Sequence, residues 1–354
     1  MAQIDAFLDE ILRRKGSDLH FIAGDPPRVR RYGELMPLQA EPLTAELVKQ
    51  SMYEIMPRKA VERFESHDGA DFAYSLEGKG RFRVNVLRQL SGMGAVFRAI
   101  PSQALTLEQL NMPPSVHQLC RAANGLILVT GKTGSGKSTS LAAMIDDINK
   151  RIKGHILTVE DPIEFVHPRH QCLISQREIG VHAASFQAAL LSALREDPDV
   201  ILVGELRDLE TMSTAITAAE MGILVMATLH TNGAAPTVDR MVNAFPSDKQ
   251  SHVRTMLSTS LRGVISQQLL QRADGQGRVA ALEILINTPA SANLIRQGKL
   301  DQIETVMQSG GALGMRTMDM AIQQLFDSGQ VSGGEAFRKA MNKAKFEAYR
   351  DQGR

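Results

Sequence analysis

Apolar residues at Ile4, Phe7, Leu8, Ile11 and Leu12 recur at the three-to-four-residue spacing of one helix face. Lys15-Gly16 closes that helix, and Ser17-Asp18-Leu19-His20-Phe21-Ile22 reads as a strand, so the chain opens α then β. Thr44 is a candidate N-cap for a second helix with Leu47, Val48, Met52, Ile55 and Met56 on one face. The period then drops to two. Phe72, Tyr74 and Leu76 alternate with polar residues, Gly78-Lys79-Gly80 turns the chain, and Phe82, Val84 and Val86 alternate again, which predicts a hairpin. Its second strand carries Arg81, Arg83 and Asn85 on the face opposite the apolar set, and Gly94 to Ile100 supplies a further strand.

The three prolines between Pro101 and Pro114 mark a boundary, which divides the chain into a domain over 1–100, a linker over 101–114 and a second domain over 115–354. Beyond it, short apolar runs alternate with helical segments, the rhythm of a mostly parallel α/β sheet. Four runs stand out: Leu126–Thr130, Ile156–Val159, Val200–Val203 and Leu224–Thr228. They are followed by the Gly131 loop, Glu160-Asp161, Gly204-Glu205 and His230, respectively. Ligands of open α/β sheets bind at the carboxyl ends of the strands, so these four groups are expected to converge. From Phe245 onward the pattern reads as mainly helical.

Composition narrows the picture. A length of 354 residues with 43% hydrophobic residues supports two cores. Forty Lys+Arg against 39 Asp+Glu leave a formal net charge of +1, which gives no encouragement to a nucleic-acid-coating role. Cys120 and Cys172 are far apart and form no CxxC pair, so neither a zinc ribbon nor a disulfide framework is expected, and a reducing cytoplasm fits. Acidic residues within Met1–Leu12 argue against a signal peptide, and no run of about 18 apolar residues occurs, so membrane contact is expected only through partners.

Gly131-Lys132-Thr133-Gly134-Ser135-Gly136-Lys137-Ser138 matches the phosphate-binding loop GxxxxGK[ST] between a strand and a helix bearing Leu141, Met144, Ile145 and Ile148. In such a loop glycines let backbone N–H groups wrap the phosphates of ATP, the helix dipole adds to them, Lys137 reaches the β/γ-phosphates and Ser138 holds Mg²⁺. Asp197-Pro198-Asp199 leads into Val200–Val203, which delivers Glu205 to the sheet edge, near Mg²⁺ or its water, as a Walker B strand does. Glu160, Asp161 and Glu164 cluster around Pro162; either one of them positions the attacking water or the group is a solvated acidic turn. His230 is either a γ-phosphate sensor or a structural imidazole. Arg81 and Arg83, with Arg88 and Arg98 nearby, are either charge-neutralising groups acting across a subunit interface or a solvated strand face.

Together these segments resemble the secretion ATPase superfamily, most closely its PilT-type pilus-retraction branch. The residues that carry the likeness are Ser17–His20, Gly80–Asn85, the phosphate loop, Leu157–Phe165, Ala193–Asp199, Gly204–Asp208 and Thr228–Thr231. The resemblance implies an α/β chain with an N-terminal PAS-like α+β domain, then a RecA-like P-loop ATPase domain with a helical C-terminal part. It implies a homo-hexamer that spends ATP on pilus retraction at the inner face of the cytoplasmic membrane, against an inner-membrane platform protein. On the matching positions, Glu164 becomes the catalytic glutamate and Glu205 the Walker B carboxylate. His230 becomes the histidine-box residue, and Arg81, Arg83 and Arg195 the charge-neutralising arginines. Thr133, Gly134, Ser135, Gly136, Lys137, Ser138 and Thr139 would hold nucleotide, and Ser138 and Glu205 the metal.

The chain lacks the four-cysteine insertion of pilus-extension ATPases. It carries Ile223 where the family's histidine box usually has a second histidine, and Ala290-Ser291-Ala292-Asn293-Leu294-Ile295-Arg296 keeps five of the seven positions of the AIRNLIR signature of retraction ATPases. Other functions compatible with the same residues are an auxiliary, PilU-like retraction ATPase, a ring scaffold that binds nucleotide without turnover, and a DNA-pumping motor.

Overall fold

The computed structural model describes residues 2–31, 34–101 and 104–351. The chain divides into two compact units, Met1–Gln103 with Glu164–Val166, and Ala104–Ile163 with His167–Arg354.

The first unit opens with the helix Asp5–Arg13 and is built on strands β1 (Asp18–Ile22), β2 (Arg28–Arg31), β3 (Glu34–Pro37), β4 (Gly69–Leu76), β5 (Gly80–Gln89) and β6 (Gly92–Ile100). They form an antiparallel sheet in the order β3-β2-β1-β6-β5-β4. Between β3 and β4 lie the helices Ala45–Ile55 and Arg58–Ser66. Thr44 caps the first as expected, its hydroxyl accepting the Leu47 N–H at 3.2 Å. The alternation in β5 is strict: Phe82, Val84 and Val86 are fully buried, while Arg83 and Asn85 face solvent. Ile4, just before the first helix, and Leu8 and Ile11 within it join them in one core, each such side chain stabilising the fold by about 1.5–3 kcal/mol.

The second unit carries β7 (Gly125–Thr130), β8 (His155–Glu160), β9 (Leu173–Glu178), β10 (Val200–Val203), β11 (Leu224–Leu229), β12 (Leu261–Gln271) and β13 (Arg278–Ile286). The order is β13-β12-β7-β11-β10-β8-β9, parallel throughout except for the antiparallel pair β12/β13. β7, β8, β10 and β11 are the four apolar runs read from the sequence. Buried on both faces apart from the half-buried His155 at the start of β8, they show no alternation, as a helix-covered parallel sheet requires.

The region after Phe245 corrects the helical reading. The helices Gln250–Ser260, Pro289–Gln297 and Met318–Asp327 are there, but β12 and β13 are two long strands added to the sheet beside β7. Their segments contain good helix formers, such as Gln267-Gln268-Leu269-Leu270 and Ala280-Ala281-Leu282-Glu283, whose local preference yields to pairing against an otherwise open sheet edge. Phe186–Ala193 forms a helix capped by Ser185.

Candidate functional site

Strand β7 ends at Thr130 and the helix Lys137–Arg151 starts six residues beyond Gly131, so the loop between them lies at the carboxyl edge of the sheet. Gly131, Gly134 and Gly136 have φ of 140°, 78° and 88°, a region open to glycine and strained for other residues. Gly131 is also sterically required, and a side chain at Gly136 would displace the Gln267 carboxamide. A Cβ on Gly131 would sit 2.4 Å from the Gln267 carbonyl oxygen, and one on Gly136 2.8 Å from Gln267 Nε2.

Lys137 is buried, and its ammonium donates to the carbonyl oxygens of Gly131 at 2.7 Å and Lys132 at 3.2 Å, so it is folded back across the loop. The helix it begins has no side-chain cap at Gly136. Among the described residues, Ser135 Oγ is buried without a hydrogen-bond partner and nothing lies near the position of a Cβ on Gly134. An uncapped helix start, an orphaned hydroxyl and an unobstructed glycine suit an anion seated on the loop. Thr133 is exposed, and Ser138 and Thr139 are half-buried in the first turn of the helix.

Glu205 follows β10, and main-chain bonds hold it in place. Gly204 N–H donates to the Val159 carbonyl at 2.7 Å, and Leu206 N–H to the Thr228 carbonyl at 3.0 Å. Its carboxylate is shared: His230 Nε2 lies 3.1 Å from Oε1, and Arg207 Nη2 lies 2.7 Å from Oε2. Burial opposes ionisation of Glu205, but the hydrogen bond and charge of Arg207, with His230 beside it, outweigh that and hold the carboxyl below its usual range. Since β11 lies between β7 and β10, His230 stands between the phosphate loop and Glu205.

The acidic cluster separates. Glu160, the last residue of β8, is buried, and its carboxylate accepts from Thr158 Oγ1 at 2.7 Å and Gln176 Nε2 at 3.4 Å, a structural engagement. Asp161 is exposed, and its charge acts on Arg207. Glu164 is exposed and groups with the N-terminal unit.

The arginines of the N-terminal sheet also divide. Arg98 pairs with Asp18 at 2.9 Å, and Arg88 stacks over Phe64 at 4.4 Å while donating to its carbonyl, so both are structural. Arg81 is half-buried; Arg83 is exposed, 4.0 Å from Asp71. Arg195 is exposed just beyond the helix Phe186–Ala193, whereas its neighbour Glu196 is fixed by Arg177 at 2.8 Å. Ile223 packs against the main core. In the segment Ala290 to Arg296, Ile295 is fully buried and Leu294 packs against the same core, leaving Arg296 exposed.

Two residues with no sequence-derived role belong to this edge. Gln267 of β12 donates from Nε2 to the Ser135 carbonyl of the phosphate loop and accepts at Oε1 from Ser140 of the helix that follows it. Glu283 of β13 is buried and accepts from Ala234 N–H at 2.6 Å and Met318 N–H at 3.0 Å, joining the starts of two helices. Burial pushes its carboxyl above the ordinary range, against the pull of those two N–H groups. Glu283 stands as a polar residue inside an apolar run and Gln267 within the polar Ser266-Gln267-Gln268, a signal that a mainly helical reading of the region after Phe245 turns into a solvated face.

The type II/IV secretion system protein family model matches residues 1–324. The type IV pilus retraction ATPase PilT of Pseudomonas aeruginosa is 50% identical over 93% of this chain and 95% of its own length. A twitching motility protein of Neisseria gonorrhoeae is 50% identical over 91% of this chain and 86% of its own. A crystal structure of the pilus retraction motor PilT with bound ADP superimposes with a TM-score of 0.91 at 42% identity, covering 98% of this chain and 100% of that one. The expected fold class follows: an N-terminal PAS-like α+β domain, then a RecA-like domain with C-terminal helices.

Proposed function

Because the chain belongs to the type II/IV secretion system protein family, we propose that it is the ATPase that retracts a type IV pilus. In this reading it is a ring-shaped homo-hexamer that turns Mg²⁺-dependent ATP hydrolysis into removal of pilin from the fibre. The observation that carries the reading is near-complete alignment with a retraction ATPase at 50% identity, in a chain whose phosphate loop, His230 and Glu205 share one sheet edge.

Each residue then has a task. Thr133 to Thr139 cradle the phosphates, with Lys137 turning from the loop carbonyls to the β/γ-phosphates. Ser138 would hold Mg²⁺ with Glu205 close to its water, and the ion would neutralise charge on the phosphate oxygens. His230 keeps the Glu205 carboxylate in place. Glu164 accepts the proton of the attacking water. Arg81, Arg83 and Arg195 neutralise charge on the transferring phosphoryl group, the first two from the unit that has no phosphate loop. The domain over 1–100, the linker over 101–114 and the ATPase domain over 115–354 rotate against each other through the cycle. A platform protein at the inner face of the cytoplasmic membrane takes up that motion.

Deleting the gene tests the direction of work. A retraction motor leaves cells with more surface pili and less twitching. Bald cells would indicate an extension motor, and unchanged pili and motility an auxiliary role.

A further inference from the structure

In β12, Ser266 pairs in register with Thr130 of β7, so Gln267 runs beside Gly131, the first residue of the phosphate loop. The two neighbours point to opposite faces of the sheet. Ser266 Oγ accepts the Gly233 N–H at 2.9 Å, at the start of the helix after His230. Gln267, only 3% exposed, donates from Nε2 to the Ser135 carbonyl at 2.7 Å and accepts the Ser140 hydroxyl proton at Oε1, also at 2.7 Å.

We propose that Gln267 is a positioning residue for the phosphate-binding loop, its carboxamide setting the direction of the Ser135–Gly136 peptide and with it the loop's affinity for nucleotide phosphates. This rests on the ATP-binding reading above. A trans peptide places C=O and N–H antiparallel, so a Ser135 carbonyl held toward Gln267 aims the Gly136 N–H away from it. The amide can sit only one way round: flipped, its oxygen would face the Ser135 carbonyl oxygen with no proton between them. Oε1 in turn is fixed by Ser140, in the first turn of the helix that Lys137 begins, so one side chain ties loop and helix together. A Cβ on Gly131 would strike the Gln267 carbonyl and one on Gly136 its carboxamide, so loop and strand are fitted to each other. Volume does not explain a carboxamide here, since Ile265, two residues earlier on the same face, is buried and apolar.

The test uses the full-length chain and a fluorescent ADP derivative. Gln267→Glu keeps the shape but puts an acceptor against the Ser135 carbonyl; Gln267→Met keeps the volume and removes both hydrogen bonds. Gln268→Glu, half-buried on the other face, controls for the added charge. The expected dissociation constants are at least about tenfold weaker for Gln267→Glu and about three- to tenfold weaker for Gln267→Met, with Gln268→Glu within about twofold of the parent. Melting without nucleotide should shift by only a few degrees in Gln267→Met. A Gln267→Met chain that melts earlier yet binds as tightly as the parent would show a merely structural role and overturn the proposal. Equal weakening by Gln268→Glu would overturn it too. A parent chain that binds no nucleotide would bring down the ATP-binding reading along with it, whereas tight parent binding with unaffected variants sinks this inference alone.

Discussion

His230 Nε2 and Glu205 Oε1 stand 3.1 Å apart at the ends of two adjacent strands, while Arg207 holds the other oxygen of the same carboxylate at 2.7 Å. Register makes this contact. β10 and β11 pair from Val200↔Leu224 to Val203↔Ala227, so the residues that follow each strand are brought side by side.

This pairing has a pH signature. The Glu205 carboxyl titrates below its usual value, so its contribution to stability is present above the unfolded value and is lost as pH falls through the lower folded one. In Arg207→Ala or His230→Ala the titration should move back up toward the ordinary carboxylate range. Carboxyl carbon NMR of the labelled chain reads this directly, and an unmoved Glu205 titration in both variants would refute the assigned cause.

Lys137→Ala and Glu164→Gln should fail differently. Without the ammonium, phosphate charge is unneutralised, and turnover should fall about a hundredfold or more. Glu164→Gln should bind ATP as the parent does but slow hydrolysis by about 10²–10⁴, since an amide cannot accept the proton. Single-turnover phosphate release beside nucleotide affinity separates the two. If Glu205→Gln rather than Glu164→Gln were the variant that binds without hydrolysing, the two carboxylate roles would be exchanged.

Mixed rings address Arg81 and Arg83. The doubly substituted subunit, Arg81→Ala with Arg83→Ala, and the Lys137→Ala subunit should each be inactive alone. Mixed, they should regain activity, because some interfaces then combine an intact loop with intact arginines. Absence of recovery in rings proved to mix by mass spectrometry counts against action between subunits.

Glu283→Ala should destabilise the chain by about 2–4 kcal/mol, because the Ala234 and Met318 N–H groups lose a buried acceptor. Glu283→Gln, able to accept with one atom only, should cost about half of that. Denaturant midpoints measure both, and equal losses for the two variants would argue against this geometry. The raised carboxyl value adds a pH term of the opposite sense to that of Glu205: ionising Glu283 costs the folded state, so its contribution falls as pH rises from the unfolded value to the folded one.

Arg296 is the exposed member of its segment, so Arg296→Ala should reduce twitching more than ATP turnover. Parallel motility and phosphate-release assays decide it, and equal losses would place Arg296 in the hydrolytic cycle instead.

The sequence alone determined the elements whose signals are local. The period-two alternation of Phe82, Val84 and Val86, the Thr44 cap and the GxxxxGK[ST] loop each depend on a few neighbouring residues, and each is read without knowing what lies across the sheet. That the strand-end groups gather at one edge was legible too, because parallel sheets place their chemistry there, whereas their order along that edge followed from the strand order. Tertiary structure alone decided the rest. Whether 261–286 became helix or strand turned on the open edge beside β7, which no local propensity encodes. Glu160 and Glu164 are equivalent by residue type; Thr158 and Gln176 made the first a structural acceptor. Leu294 and Ile295 were taken into the core, leaving Arg296 outside. Gln267 acquired its place at the phosphate loop from residues more than a hundred positions away, through hydrogen bonds that exist only once the strands have paired.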